Sequence, residues 1–382
     1  MEKIVMLSHC PSLPTGYGRV IRHLAHAFQG AGHDVSVIGV GSDNRLDGFA
    51  FRVLPLGFQQ AEDAIAAALQ SQSPDVLFTL GDPWMFELLP QVAELCTVTW
   101  ICYFAIDGYP IPPEWLNWLG FADIPVVFSR WAQRLVAESI GTEPALIYHG
   151  VDTNLFAPAD KSGAKTALGI QPDAFVVGCV AVNQQRKNLP ALLKAFAHFA
   201  REKPNAVLYL HTKPVGTWDL PALSRQYGIA NKITITQIPS GEPGLSDSAM
   251  ANLYNAFDIF CLPTMAEGFG LPVLEAQACG VPALVTDCSA CSELVANPVQ
   301  LLSVRATLAM NRGLEQAVVD HLELASKLDY FYHRPQDLPL RGMQCRRFAE
   351  RFDWSVILPQ FLRLIESTAQ KPKEASLRFF VA

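Results

Sequence analysis

The chain has 382 residues, of which half are hydrophobic and 17% are charged, and its formal net charge is −7 at pH 7. This length exceeds what a single hydrophobic core usually supports, so two domains are expected, and the apolar composition excludes a disordered protein. The negative charge argues against a broad nucleic-acid-binding surface.

The composition also bears on location. Uninterrupted apolar runs stay below the ~18 residues of a membrane-spanning helix, so no integral membrane segment is expected. The N-terminal residues lead into a strand pattern rather than into a signal peptide. Nine scattered cysteines, an odd number, are typical of a reduced protein and predict a cytoplasmic location.

In the first half of the chain, short apolar runs alternate with amphipathic segments. The predicted strands cover residues 3–8, 33–40, 51–54, 76–80, 97–103, 124–128 and 145–148. The predicted helices cover residues 18–29 and 61–72, and a third helix begins after Ser129. This alternation predicts a parallel sheet with helices on both faces, whose ligands bind at the carboxyl ends of the strands.

Two candidate binding segments follow predicted strands of this half. Gly16 and Gly18 precede the first helix, where free backbone N–H groups can bind an anion, and a tight turn without a ligand is the alternative. Asp107 follows the strand at 97–103 and either contributes to a site at this sheet edge or only caps the turn after it.

The second half shows the same alternation. The predicted strands cover residues 175–182, 207–211, 233–237 and 259–262, and a further strand ends before Thr286. The predicted helices cover residues 190–202, 272–279 and 348–367, and others start at Ser246 and Glu293. Residues 303–340 are predicted to be irregular. Cys288 and Cys291 form a C-x-x-C pair without a second pair at zinc spacing, so no metal site is predicted.

Two adjacent cations stand in the loop between the strand at 175–182 and the helix that follows it. Arg186 and Lys187 lie within a loop that begins at Asn183 and enters a helix N-terminus. A lysine supplies a point charge and an arginine a fork of donors, and together they suit a pyrophosphate group. Solvated surface charge is the alternative for both cations.

The most informative segment follows the strand at 259–262. Glu267 and Glu275 lie eight positions apart across a loop that contains Gly268 and Gly270 and across the start of a helix. Glycines at a helix N-terminus let a ligand approach free N–H groups and the positive end of the helix dipole. The segment therefore predicts an anion site, with phosphate as the expected anion. A surface loop with two solvated glutamates is the alternative.

The run E-G-F-G-L-P-V-L-E-A-Q-A-C-G-V-P, which starts at Glu267, resembles the donor-binding motif of the retaining GT-B glycosyltransferases of family 4, also called glycosyl transferases group 1. The resemblance implies that Glu267 faces the transferred sugar and that Glu275 binds the ribose. It also implies four backbone donors to the sugar and the pyrophosphate, which are Gly268, Phe269, Gly270 and Leu271.

Other segments carry the same resemblance. The loop with Gly16 and Gly18 is similar to the family's glycine-rich loop between the acceptor and the donor phosphate. Lys187 matches the lysine that neutralises the diphosphate in the family. Asn183, in the same loop, is predicted to bind the donor. Residues 149–158 resemble the link between the two domains of the family, so His149 is interpreted as a structural residue.

The chain departs from the family at two positions. Ala181 and Val182 stand where relatives have a glycine-arginine pair, so Arg186 is predicted to replace that arginine. Many relatives place a sugar-contacting histidine just after the strand at 97–103, and this chain has Asp107 instead, which is predicted to replace that contact or to bind the acceptor. The predicted catalytic residues are Glu267, Lys187, Arg186 and Asp107.

The resemblance implies a GT-B fold, in which two Rossmann-like, doubly wound parallel-sheet domains face each other across a cleft. The predicted parts are an N-terminal acceptor-side domain at 1–158, a C-terminal nucleotide-sugar-binding domain at 159–345, a helix at 346–367 that crosses back to the N-terminal domain, and a tail at 368–382.

The implied function is transfer of a sugar from a nucleoside-diphosphate sugar, a UDP- or GDP-sugar, to an acceptor hydroxyl with retention of configuration. Because the chain contains no Asp-x-Asp pair, the reaction is expected to need no metal, and no cofactor is expected besides the donor. The acceptor stays open among a glycan, a lipid-linked sugar, a small molecule, a protein and a nucleic acid. The expected location is cytoplasmic, with room for transient docking at the inner membrane face.

Two other functions stay open. The first is a nucleotide-sugar-binding protein without turnover, suggested by the departures at the arginine and histidine positions. The second is a glycoside hydrolase that uses Glu267 and Glu275 as its carboxylate pair, although the cationic loop then has no purpose.

Overall fold

A computed structural model describes residues 1–41, 46–57, 62–87, 89, 98–236, 244–310 and 313–369 of the chain. The chain divides into two compact units. The first comprises residues 1–106 and 111–150 and the chain from residue 355 on, and the second comprises residues 107–110 and 151–354. Among the described residues, no helix has both the length and the apolar character needed to cross a membrane.

The first unit is built on one parallel sheet. Its strands are β1 (Lys3–His9), β2 (Asp34–Val40), β3 (Arg52–Leu56), β4 (Val76–Gly81), β5 (Thr99–Phe104), β6 (Ile124–Val127) and β7 (Ala145–Leu146). Its helices include α1 (Gly16–Gly30), α2 (Glu62–Gln72), α3 (Pro113–Leu119) and α4 (Arg130–Ile140). The strand order is β3-β2-β1-β4-β5-β6-β7, as expected for a doubly wound sheet.

Helix α1 shows how the sequence sets an element and its boundary. The hydroxyl of Thr15 accepts a hydrogen bond from the amide of Gly18 (3.1 Å) and caps the helix. One face of the helix is buried by residues at helical spacing, which are Val20, Ile21, Leu24, Ala25 and Phe28. The helix predicted at 18–29 is therefore confirmed, with its start two residues earlier.

The second unit contains a second parallel sheet and a hairpin. Its strands are β8 (Phe175–Val180), β9 (Ala206–His211), β10 (Ile233–Ile235), β11 (Ile259–Leu262), β12 (Ala283–Thr286) and β13 (Leu301–Leu302), followed by the antiparallel pair β14 (Val304–Ala309) and β15 (Glu315–Val319). The parallel strands lie in the order β10-β9-β8-β11-β12-β13. The strand order thus reverses its direction between β8 and β11. Open α/β sheets bind ligands at such a switch point.

The helices of this half complete the layers. They are α5 (Lys161–Ala167), α6 (Leu189–Phe199), α7 (Leu220–Gln226), α8 (Asp247–Asn255), α9 (Leu271–Ala278), α10 (His321–Tyr332), α11 (Leu338–Ala349) and α12 (Trp354–Ala369). From residue 355 on, α12 belongs to the first unit.

Two predictions for the second unit are wrong, and the predicted terminal helix is confirmed in part. Residues 303–340 are not irregular, because they contain β14, β15 and α10; all six residues of β14 are exposed, so no buried face marks that strand in the sequence. Glu293 ends a short 3₁₀ turn, Ser289–Glu293, instead of opening a helix. The helix predicted at 348–367 is interrupted between α11 and α12, and the tail predicted from 368 begins inside α12. The rest of that tail lies outside the described residues, as do residues 237–243 at the end of the strand predicted at 233–237.

The break between α11 and α12 also explains why the units differ from the predicted domain boundaries. The carboxylate of Asp353 accepts hydrogen bonds from the amide (3.1 Å) and the hydroxyl (2.6 Å) of Thr153. The guanidinium of Arg346 donates to the carbonyls of Thr153 (2.7 Å) and Phe156 (2.8 Å). Residues 151–158 therefore group with residues 346–354 in the second unit, and not with the N-terminal segment.

A buried ion pair holds α5 to the second sheet. Lys165 is 4% exposed, and its Nζ lies 2.8 Å from Oδ2 of Asp258, the residue just before β11. The same oxygen accepts the amide hydrogen of Val176 in β8 (2.8 Å). Lys161 Nζ also lies 3.3 Å from Oδ1 of Asp258, but Lys165 is the buried one of the two cations, and its charge depends on this carboxylate for stabilisation.

Gly178 in β8 is required by close packing. A Cβ atom at this position would lie 2.1 Å from the ring of Phe257, which is fully buried. We expect Gly178→Ala to lower the free energy of unfolding by about 1–3 kcal/mol, since the buried ring has little room to move away. Thermal denaturation measures the effect, with Gly30→Ala as the control because no atom lies within 4 Å of a Cβ there. Equal midpoints for the two variants would contradict this packing argument.

Candidate functional site

The candidate site lies at the carboxyl ends of β8 and β11, the two strands at the switch point. Arg186 and Lys187 stand in a 3₁₀ turn, Gln185–Lys187, after β8, and the loop with Glu267 follows β11. The two loops are joined directly, because the carbonyl of Arg186 accepts hydrogen bonds from the amide of Met265 (2.6 Å) and the hydroxyl of Thr264 (3.0 Å). The parallel pairing of β8 with β11 thus brings together residues about 80 positions apart in the chain.

The centre of the site is a buried carboxylate between two cations. Oε2 of Glu267 accepts a hydrogen bond from Arg186 Nη1 (2.9 Å), and Oε1 accepts one from Lys187 Nζ. Glu267 is 4% exposed and Lys187 is 9% exposed, so this charge cluster is largely removed from water. The amide of Glu267 also donates to the hydroxyl of Ser289 (2.9 Å), which fixes the backbone of the loop.

The charge cluster sets the protonation of its members. Burial raises the pKa of Glu267, but the neighbouring Arg186 and Lys187 outweigh burial and bring that pKa down to about 2. Burial lowers the pKa of Lys187, and Glu267 opposes this change by stabilising the ammonium form. Glu267 is therefore an anion throughout the physiological pH range, held beside two hydrogen-bond donors of opposite charge.

Asp107 joins the cluster from a distant part of the sequence. Its Oδ2 lies 3.8 Å from Nε of Arg186. The next residues are held by the hairpin, since the amide of Glu315 in β15 donates to the carbonyl of Tyr109 (2.6 Å). The same strand donates from the amide of Ala317 to the carbonyl of Met265 (2.8 Å). One edge of β15 thus holds both the segment with Asp107 and the loop with Glu267.

The loop after Glu267 leads into α9. Gly270 adopts φ = +117°, a conformation that strongly favours glycine, and it precedes Leu271, the first residue of the helix. Phe269 is buried, and no side chain caps the helix at Gly270. The first amide groups of α9 therefore lack a side-chain cap, which is the arrangement that suits an anionic ligand.

Glu275 lies in α9 and is 2% exposed. Its Oε2 accepts a hydrogen bond from the hydroxyl of Tyr254 in α8 (2.7 Å). Sequence reasoning missed Tyr254, and also missed the contact of Ser289 with the loop. The only signal for Tyr254 is a polar group among buried apolar residues of an amphipathic helix, and that signal does not reveal its partner.

Two other predicted donor-binding residues, Asn183 and Gly18, have clear structural roles. The side-chain amide of Asn183 donates to the carbonyls of Lys213 (3.1 Å) and Trp218 (2.8 Å) and accepts from the amide of Trp218 (3.1 Å), so it fixes the loop after β9. Gly16 and Gly18 lie in the first unit, where a Cβ at Gly18 would come within 2.6 Å of the carbonyl oxygen of Leu13. Donor binding by these three residues stays a prediction.

His149 lies in the first unit, and the C-x-x-C pair lies in the second. Nδ1 of His149 lies 2.8 Å from the hydroxyl of Tyr103 in the first unit, and burial lowers the pKa of this histidine to about 3. Burial raises the pKa of Cys288 to about 12, and Cys291 is fully buried. Within the described ranges, no group of three or more histidine, cysteine, aspartate or glutamate side chains is arranged to hold a metal ion.

The comparison with known families bears on the second unit. Residues 160–332, which include the whole cation loop, both glutamates and the hairpin, match the family model of glycosyl transferases group 1. This part of the chain is a glycosyl transferase group 1 domain. The resemblance read from the segment at Glu267 is thereby confirmed as a resemblance to glycosyl transferases group 1.

Curated relatives support the same assignment of the glycosyl transferase group 1 domain. A D-inositol 3-phosphate glycosyltransferase from Segniliparus rotundus is 32% identical over 154 residues, which cover 39% of this chain and 33% of that protein. The protein of the same name from Kribbella flavida is 32% identical over 219 residues, which cover 53% of this chain and 50% of that protein. The matches thus span between a third and a half of the length of these relatives.

Solved structures agree with the architecture over almost the whole chain. Sucrose-phosphate synthase from Thermosynechococcus elongatus has a TM-score of 0.77 at 19% identity and covers 96% of this chain and 99% of its own. Anabaena HepE in complex with UDP-glucose has a TM-score of 0.77 at 18% identity and covers 96% of this chain and 100% of its own. With two parallel-sheet units of this topology, the predicted GT-B fold class is confirmed.

Proposed function

We propose that this protein is a retaining, metal-independent glycosyltransferase that uses a nucleoside-diphosphate sugar. The observation that carries the proposal is the buried contact of Arg186 and Lys187 with Glu267 at the switch point of a glycosyl transferase group 1 domain. Two cations and a helix N-terminus without a side-chain cap lie where β8 and β11 end, and together they form a site for a diphosphate.

The proposed chemistry follows from the charge that develops during transfer. Departure of the nucleoside diphosphate concentrates negative charge on its leaving oxygen, and donors fixed in advance stabilise that charge. Lys187 and Arg186 take this role, so they supply the positive charge that a metal ion supplies in other transferases. Glu267 faces the sugar and Glu275 the ribose, while backbone N–H groups of residues 268–271 contact the sugar and the pyrophosphate.

Arg186 is proposed to replace the missing family arginine because its guanidinium reaches the carboxylate that Lys187 also reaches. Asp107, at 3.8 Å from Arg186, is proposed to replace the missing histidine at the sugar or to bind the acceptor hydroxyl. The acceptor-side and donor-side roles of residues 1–158 and 159–345 belong to the same proposal.

The comparisons suggest which ligands to try first. The HepE structure holds UDP-glucose, so UDP-sugars come before GDP-sugars as candidate donors. The curated relatives are named for D-inositol 3-phosphate, which makes hydroxylated small molecules the first acceptors to test, ahead of glycans, lipid-linked sugars, proteins and nucleic acids. Unpaired cysteines across the described chain suit a reducing compartment, and we place the protein in the cytoplasm, with transient access to the inner membrane face.

The charge cluster argues against a glycoside hydrolase. Such an enzyme needs a carboxyl group whose pKa is raised so that it can donate a proton to the leaving group. The two cations beside Glu267 lower its pKa to about 2. The carboxylate of Glu275 in α9 accepts a hydrogen bond from Tyr254 in α8. A binding protein without turnover differs from the proposed enzyme in one result only, which is that no acceptor releases nucleoside diphosphate from a bound donor.

We expect the protein to bind one nucleoside diphosphate selectively. Calorimetric titration with UDP, GDP, ADP and CDP, first without metal and then with Mg²⁺, tests this expectation. Selective binding without metal that is lost in Lys187→Met and kept in Lys194→Ala supports the proposal, since Lys194 is an exposed cation on α6. Binding of none of the four, with or without Mg²⁺, would count against the proposal.

A further inference from the structure

Tyr254 stands behind the second glutamate of the motif. It lies near the end of α8, its side chain is fully buried, and its hydroxyl donates to Oε2 of Glu275 at 2.7 Å. Glu275 is 2% exposed, so this hydrogen bond joins a phenol to a carboxylate away from bulk water. Hydrogen bonds to charged groups in such surroundings are stronger than those between neutral groups.

The ring of Tyr254 has little freedom to move. Its edge and face contact three phenylalanines, with centroids 5.9 Å from Phe156, 6.1 Å from Phe257 and 6.0 Å from Phe260. The end of α8 is fixed as well, because the side chain of Asn255 accepts from the amide of Ala159 (2.8 Å). The position of the hydroxyl is therefore set by packing before any ligand binds.

A fixed donor on one carboxylate oxygen limits the orientation of the whole carboxylate. Glu275 has several side-chain torsions, and rotation about the last of them is broad. The bond from Tyr254 selects one orientation and so removes an entropic cost from any ligand that the carboxylate must meet. A ribose presents two neighbouring hydroxyl groups, and a carboxylate accepts both only when its plane is correctly turned.

We propose that Tyr254 is a positioning residue that orients Glu275 for the ribose hydroxyls of the donor nucleotide. This inference rests on the proposed function, and it adds a consequence that the motif does not contain. Selection of ribonucleotides over 2′-deoxyribonucleotides then depends on a hydroxyl group in α8 that does not itself contact the ligand.

The test is titration of the full chain and of Tyr254→Phe with UDP and 2′-deoxy-UDP, and with GDP and 2′-deoxy-GDP. We expect the wild-type chain to prefer the ribonucleotide by about 10-fold or more, since a hydrogen bond to a charged group contributes this much. In Tyr254→Phe the preference should fall to about 2–3-fold, mainly through weaker ribonucleotide binding. The ratio does not depend on the fraction of folded protein, because both nucleotides report on the same sample.

Tyr332→Phe is the matched control. Tyr332 also donates its hydroxyl to a side chain, Oδ1 of Asn205 at 2.7 Å, but it lies on α10. This variant should keep the wild-type preference. In a double-mutant cycle, Tyr254→Phe should have little further effect on the preference in a Glu275→Gln background, because the hydroxyl acts through the carboxylate.

Each outcome points to one conclusion. A wild-type preference that Tyr254→Phe leaves intact overturns the positioning role while the transferase proposal stands. A wild-type chain that binds UDP or GDP without any preference over the 2′-deoxy form overturns the ribose role of Glu275, and the inference with it. Failure of the wild-type chain to bind either ribonucleotide contradicts the UDP- or GDP-sugar donor of the proposed function.

Discussion

Sugar transfer is expected to fall by at least about 100-fold when Lys187 is replaced by methionine, the scale on which loss of one preorganised charge-stabilising donor acts. Methionine keeps much of the length of the buried side chain and removes its charge. The remaining cation, Arg186, then faces both Glu267 and the departing diphosphate alone. Because the lost interaction strengthens as the leaving group departs, the effect should appear in kcat as well as in donor affinity.

The measurement is the rate of nucleoside diphosphate release from the donor that titration identifies. Lys194→Ala provides the comparison, since it removes an exposed cation from the helix that follows the same loop. Circular dichroism and thermal denaturation of Lys187→Met separate lost chemistry from lost structure. A folded Lys187→Met protein with the wild-type rate would refute the diphosphate role.

The largest loss of stability is expected from Asp258→Asn. This change keeps the shape of the side chain but leaves the ammonium group of Lys165 buried without its carboxylate, at a cost of about 3–5 kcal/mol. The second sheet and α5 both lose an anchor, because the same carboxylate also accepts the amide hydrogen of Val176. For a unit of this size we expect the melting temperature to fall by about 6–20 °C.

Thermal denaturation followed by far-UV circular dichroism measures this effect. Asp329→Asn is the control, since Asp329 pairs with Lys203 at 2.8 Å but its side chain is 48% exposed. Exposed pairs contribute about 0–1 kcal/mol, so this variant should melt within a few degrees of the wild-type chain. Similar melting temperatures for the two variants would show that burial does not distinguish these ion pairs.

Much of the architecture could be predicted because parallel strands are buried on both faces. Runs such as Ile259–Leu262 and Phe175–Val180 consist almost entirely of apolar residues and end at loops with glycine, proline or polar residues. The hairpin was missed for the opposite reason, since β14 buries none of its six residues. Its partner β15 is stabilised by backbone hydrogen bonds to Tyr109 and Met265, and such bonds cannot be predicted from a sequence pattern.

The site shows the same division. Arg186, Lys187 and Glu267 could be predicted to meet, because each follows a strand and carboxyl ends of neighbouring parallel strands share one edge. Asn183 also follows a strand, yet its side-chain amide is hydrogen-bonded to backbone carbonyls of the loop after β9. The contact of Tyr254 with Glu275 depends on how two helices pack, and spacing along the chain does not contain that information.

The second unit is not a continuous stretch of chain, because residues 107–110 belong to it although they lie between two stretches of the first unit. A chimera joined at the junction of residues 150 and 151 would therefore take Arg186 and Glu267 from one parent and Asp107 from the other. Asp107, one of the carboxylates beside Arg186, is thus inherited with the N-terminal half of the chain. Divergence of the N-terminal half can thus alter the electrostatics of the cation loop without any substitution in residues 151–354.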